Sequence, residues 1–175
     1  MGWLGNSKSE YPTDSNYWAH MLTLPRELKI EGNKLLQIPI AELAKLRTSN
    51  DELTAQYQLK SPAFELELEV GSSFSIEFAN ERGDTMTFSG TEQEWCLDRT
   101  HVTDTYAEKF GSIRYSLRHS DDPRVRVFVD HSSIEIFCDR GETVFTSRIF
   151  VRDLNRLNSC NVSGKVHYLR GIRYD

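Results

Sequence analysis

Glu65, Glu67 and Glu69 stand two residues apart in the run Phe64-Glu65-Leu66-Glu67-Leu68-Glu69-Val70. Paired carboxylates can act as general acid and general base. This spacing argues against it. Strict alternation with apolar residues puts all three carboxylates on one face of a strand. Like charges crowded there call for water, so the row is expected to be a solvated strand face. Other acids fall in turns, among them Asp121 and Asp122, then Asp139 and Glu142. Neither setting supplies two opposed carboxylates in a pocket.

The other groups capable of chemistry are equally dispersed. His20, His101, His119, His131 and His167 have no spacing that suits a metal, and each is expected in a turn or at the surface. Ser132-Ser133 follows His131 but lacks the flanking glycines of a nucleophile elbow. Asp98-Arg99-Thr100 and Asp104 read as an inter-strand loop, with Asp98 ending a strand. Arg152-Asp153 reads as a surface turn after the last strong strand. No glycine-rich phosphate loop is present. The residues thus assign no catalytic position, no metal site and no cofactor.

What must position these groups is a β-framework. After Gly71-Ser72-Ser73, which reads as a turn, Phe74, Ile76 and Phe78 alternate with polar residues. Asn80–Asp84 is the next turn. Val125, Val127 and Val129 lead through Asp130–Ser133 to Ile134, Ile136 and Cys138. Asp139-Arg140-Gly141-Glu142 is a hairpin turn in which Gly141 can take a positive φ. Short strands with turns every 8–12 residues indicate an antiparallel two-sheet sandwich. The inward set is then Phe64, Leu66, Leu68, Val70, Phe74, Ile76, Phe78, Val127, Val129, Ile134, Ile136 and Cys138. One short amphipathic helix is expected near residues 40–47, followed by a turn at Thr48–Asp51.

A chain of 175 residues with 38% hydrophobic and 11% aromatic residues can hold one core of its own. A net charge of −5, with basic residues scattered, excludes a nucleic-acid binder of the usual kind. No apolar run is long enough for a membrane-spanning helix. Cys96, Cys138 and Cys160 are odd in number and widely spaced, which favours reduced thiols and a cytoplasmic setting. The N-terminus lacks a signal-peptide pattern, and the sequon Asn161-Val162-Ser163 is attributed to chance. Residues 1–21 differ in character. Trp3, Tyr11, Tyr17 and Trp18 occur there without periodicity. The stretch reads as loosely attached, its aromatics being candidates for contact with another domain or another copy of the chain.

Several stretches, in order, resemble glycoside hydrolase family 32, the invertases and bacterial sucrose-6-phosphate hydrolases. They are Tyr11-Pro12-Thr13-Asp14, Trp18-Ala19-His20, Leu22–Leu28, Trp95-Cys96-Leu97-Asp98-Arg99, Val127–Phe137 and Thr146–Phe150. The likeness is nearest to the sucrose-6-phosphate branch. It implies a C-terminal β-sandwich of concanavalin or lectin-like jelly-roll type over residues 22–175, with residues 1–21 a remnant of the preceding β-propeller and linker. That propeller carries the family's catalytic acids, and none of their motifs occurs here. The resemblance therefore implies a non-catalytic partner of a propeller that cleaves sucrose or sucrose 6-phosphate, with dimer contacts a further role. A sugar-binding module or free-standing interaction domain is the alternative. The sugar-binding reading would require exposed Trp or Tyr side chains on one face, whereas Trp95 lies in a strand as suited to the core and Tyr106, Tyr115, Tyr168 and Tyr174 are scattered.

Overall fold

The structure, a computed structural model, describes residues 1–171; Tyr174 lies outside them. In chain order the strands are β1 (Trp3–Leu4), β2 (Met21–Leu22), β3 (Arg26–Glu31), β4 (Lys34–Pro39), β5 (Arg47–Glu52), β6 (Gln56–Gln58) and β7 (Phe64–Ala79). They continue with β8 (Thr85–Gly90), β9 (Glu94–His101), β10 (Ile113–Leu117), β11 (Arg124–Asp130), β12 (Ser133–Cys138), β13 (Thr143–Arg148) and β14 (Arg156–Leu169). The expected short helix is present as a 3-10 turn, Ala41–Leu46. No helix among the described residues is long and apolar enough to cross a membrane.

The chain is an all-β antiparallel sandwich, and two long strands join its layers. The first half of β7 pairs with β11, and the second half pairs with β8. β14 follows β7 along its length, with a bulge between Cys160 and Val162 where Asn161 has φ 55°. One layer therefore runs β5–β14–β7–β11–β12–β13, and the other β6–β14–β7–β8–β9–β10. The layers close along β7 and β14 and open between the far edges, β13 and β10.

Three sequence expectations need correction here. Gly71–Ser73 is no turn: β7 continues through it, because β14 supplies a pairing partner on both sides of the bend. Thr48–Asp51 belongs to β5, since its polar residues pair with the far end of β14. β14 itself follows the Arg152-Asp153 turn, which the sequence pattern places after the last strong strand. Its residues Asn158–Lys165 carry little apolar alternation, so pairing rather than pattern makes it a strand. Gly164 shows how tight that pairing is. A Cβ there would lie 2.1 Å from the Glu67 carbonyl, and its φ is 148°.

The core between the layers is the one the alternation implies. Every residue of the expected inward set is buried. Trp95, Leu97, Phe88, Met86 and Leu157 join it. Burial of each such side chain contributes about 1.5–3 kcal/mol. A second, smaller core was not visible in the pattern. Phe128 and Phe137 point outward from β11 and β12, and Leu43 of the 3-10 turn covers them together with Leu24, Ile40 and Leu46. Residues 24–47 therefore fold across the outer face of the first layer.

Candidate docking surface

That covering segment changes the carboxylate row. Glu65 is fully buried, contrary to the expected wet face, while Glu67 is half-buried and Glu69 exposed. Arg47 donates from Nε and Nη2 to Glu65, both at 2.8 Å, and Arg126 Nε reaches the same carboxylate at 2.8 Å. Arg47 Nη2 also donates to Glu67 at 2.5 Å. His167, expected at the surface, is buried instead, with Nε2 2.9 Å from Glu67. Burial opposes ionisation of Glu67, but the hydrogen bonds from Arg47 and His167 with their charges outweigh it and hold its carboxyl below the usual range. The guanidinium of Arg47 is raised in turn, chiefly by its bond to Glu65. Alongside, Arg26 pairs with Glu135, whose Oε1 accepts the Leu24 amide at 2.6 Å. These carboxylates anchor the covering segment.

Four further acids that the sequence singles out are also committed to structure. Asp139 is buried and accepts from Trp95, Thr143 and Ser120. Asp122 is held by Arg124, whose hydrogen bond lowers its carboxyl to about 2. Glu142 receives Lys34 at 2.6 Å. Asp98 lies inside β9 rather than at its end, and its Oδ1 accepts the Thr100 amide and hydroxyl. Ser132 accepts from Arg148. Among the described residues no group of three or more His, Cys, Asp or Glu could hold a metal ion.

The candidate contact aromatics divide. Tyr11 is 5% exposed and turned into the sandwich, so it does not present a surface. Its hydroxyl donates to the Asn6 carbonyl at 3.1 Å and accepts from Tyr106 at 2.9 Å. His20 packs edge-on between Trp3 and Tyr11, at 5.0 and 5.2 Å between ring centroids. Arg148, at the end of β13, donates to the Ala19 carbonyl at 2.5 Å and lies 5.1–5.2 Å from the Tyr11 and Trp18 rings. β1 pairs with β2, setting Trp3 opposite Leu22. Residues 1–22 are thus bound to this chain's own sandwich, where a loose tail was expected. The sequence signal missed was Arg148, a cation inside an otherwise strand-like run.

Held in this way, the segment still shows its remaining aromatics to solvent. Trp3 is 58% exposed, Tyr17 99%, Trp18 41% and Leu22 60%. Tyr17 has φ 62°, an uncommon backbone for an aromatic residue. Exposed apolar groups of this kind are candidates for contact with another surface. The sugar-platform candidates divide differently. Trp95 is core, Tyr168 is buried with its hydroxyl 2.9 Å from that of Tyr57, and Tyr106 is taken by Tyr11. Tyr115 alone of those described is exposed on a strand.

Comparison with known proteins fits this architecture. The family described as "Glycosyl hydrolases family 32 C terminal" matches residues 34–173. A sucrose-6-phosphate hydrolase of Vibrio alginolyticus is 37% identical over 158 residues, covering 90% of this chain and 33% of the relative. One from Staphylococcus xylosus is 33% identical, covering 100% of this chain and 38% of the relative. The chain therefore spans only a third to two-fifths of these relatives. Among solved structures, sucrose-6-phosphate hydrolase from Lactobacillus gasseri superimposes with a TM-score of 0.83 at 21% identity, over 96% of this chain and 38% of that one. A Bombyx mori GH32 beta-fructofuranosidase gives 0.80 at 24% identity, over 96% and 37%. At such identities these neighbours speak for the fold, while the family match covers most of the sequence: the chain belongs to the C-terminal domain family of the family 32 glycosyl hydrolases.

Proposed function

We propose that this chain is the non-catalytic sandwich of a β-fructofuranosidase acting on sucrose 6-phosphate or sucrose, and that it supports a catalytic propeller lying outside these residues. Residues 1–21 belong to the junction with that domain, and 22–175 form the supporting module. The observation that carries the reading is the Trp3, Tyr17, Trp18 and Leu22 surface on a segment fastened by Arg148. It is apolar, ordered and uncovered, as a face that meets another domain would be. The commitment of Glu65, Glu67, Glu135 and Asp139 to ion pairs and buried hydrogen bonds supports a non-catalytic role. The cysteines, all free thiols, fit a cytoplasmic setting.

The test is reassembly. The catalytic portion of the Vibrio alginolyticus relative, expressed without its own sandwich, is mixed with this chain. Formation of a complex with restored release of fructose from sucrose 6-phosphate is expected, with W3A and W18A each weakening assembly. This chain alone should release none. Absence of a complex at micromolar concentrations, or turnover by the isolated chain that a single carboxylate substitution abolishes, would overturn the reading. Light scattering on the isolated chain tests whether a second copy uses the same face.

A further inference from the structure

The open side of the sandwich, between β13 and the β9–β10 pair, holds a cleft of about 590 Å³. Three arginines line it: Arg99, Arg114 and Arg148. Elsewhere this chain matches its interior arginines with carboxylates, Arg26 with Glu135 and both Arg47 and Arg126 with Glu65. Here it does not. Arg99 is 8% exposed and, among the described residues, donates only to two backbone carbonyls, Arg148 at 3.2 Å and Gly111 at 3.5 Å. Its Nε is buried with no partner among them. Arg148 is 2% exposed and bonds to neutral oxygens of Ser132 and Ala19. Arg114 is exposed and donates to the carbonyl of its own neighbour, Ile113.

Two of these cations crowd the same glycine. Arg99 Nη2 points at the Gly111 carbonyl, and Arg114 Nη1 lies 3.1 Å from where a Gly111 Cβ would stand. Asp98, next to Arg99 in β9, is the acid whose charge reaches it. The acid lining the cleft, Glu142, is engaged by Lys34, and Asp98 is turned to Thr100. Burial and the charge of Arg114 both disfavour the charged form of Arg99. Burying a cation without an anion is costly, and guanidinium groups suit oxyanions through paired N–H donors.

We infer that this cleft is a binding site for a small phosphate monoester, with Arg99 and Arg114 gripping the phosphate and the rings of Tyr106, Phe110 and Tyr115 lining the space for its organic part. The charge selects phosphate over a carboxylate. A monoester carries about −1.5 to −2 at neutral pH, which answers several unpaired cations where a single carboxylate does not. The cleft also falls within the roughly 300–1,000 Å³ typical of small-molecule sites. The site lies on this chain alone, so it stands or falls separately from assembly with a catalytic domain.

The experiment is calorimetric titration of the intact chain, at constant ionic strength, with inorganic phosphate, a hexose 6-phosphate, the unphosphorylated hexose and an acidic peptide. Saturable binding of both phosphate probes is expected, and none of the plain hexose. Because Arg114 is exposed, R114A should fold normally and bind the phosphates about tenfold more weakly, with R114K recovering part of the loss. No saturable binding of either phosphate up to about 10 mM would overturn the inference. So would equal binding by R114A, or binding of the acidic peptide alone.

Discussion

The indole Nε1 of Trp95 donates to Asp139 Oδ2 at 2.8 Å, both side chains lying inside the fold. The same carboxylate accepts from Thr143 at 2.6 Å and from the Ser120 amide and hydroxyl at 3.2 and 3.3 Å. Asp139 sits at φ 50° and Arg140 at φ 60°, ahead of Gly141 at φ 99°. These contacts stabilise a turn that the backbone alone disfavours. The turn in turn positions β4, since a Cβ on Gly141 would fall 2.6 Å from the Gln37 carbonyl. Replacing Asp139 by alanine strands buried donors of Trp95 and Thr143. A loss of about 2–4 kcal/mol is expected in urea unfolding. A change under 1 kcal/mol would show that the turn does not depend on this carboxylate.

Glu65 and Glu67 should differ, although they sit two residues apart on one strand face. Glu65 is enclosed between Arg47 and Arg126. Glu65→Gln leaves two partly buried cations without their shared anion, and about 2–3 kcal/mol should be lost, the figure being reduced because both arginines reach water. Glu67→Gln should cost less than about 1 kcal/mol, because Glu67 is more exposed. Denaturant midpoints of the two variants decide the point, and equal losses would contradict the difference in burial.

Acid should weaken the fold in a definite direction. Glu67, Asp84 and Asp122 all have carboxyls below their ordinary values. For Glu67 and Asp84 burial works the other way, and hydrogen bonds from Arg47 and from Thr103 and Asn80 prevail; for Asp122 the Arg124 bond dominates. With a folded value below the unfolded one, the unfolded chain binds more protons. The contribution is therefore complete above the ordinary carboxylate range and disappears as pH falls through it toward about 2, where Asp122 titrates. Urea midpoints measured from pH 7 downward should fall most steeply below the usual carboxylate values. D122N should flatten the lowest part of that curve. A midpoint that rises on acidification would refute the sign.

The legible part of this fold was its period-two pattern. Leu66 and Ile136 announce their inward face because apolar and polar residues alternate around them, and the core between the layers follows. Glu65 shows the limit of that signal. Alternation tells which side of a strand a residue takes, but not whether another segment will cover that side. Here residues 24–47 do, held by Phe128, Phe137 and buried ion pairs that lie far apart in sequence. β14 escaped for a related reason. Its middle is polar, and only its pairing with β7 and β5 makes it a strand. The aromatic segment was visible as a contact candidate from composition. Its attachment was not, because Arg148 lies 129 residues from Ala19.

That attachment carries the last prediction. Arg148 joins residues 1–22 to β13 through the Ala19 carbonyl, and its guanidinium lies about 5 Å from the Tyr11, Trp18 and Phe150 rings. It also donates to Ser132 beside β12, so it ties the segment to the β11–β12 turn as well. Removing the guanidinium while keeping an apolar stem, as in R148M, deletes the bond to Ala19 and the cation from among three rings. The layer core around Phe64, Leu66 and Ile136 is untouched by the change. Opening of the segment should then become easier than opening of the sheet, since free energies of local opening follow local contacts. Amide hydrogen exchange in residues 1–22 of R148M should accelerate at least about tenfold, while β7 and β12 keep their protection. Mild proteolysis should correspondingly cut between Ser7 and Trp18. Unchanged exchange in residues 1–22, with the sheet intact, would show that Tyr11 and the β1–β2 pairing hold the segment without Arg148.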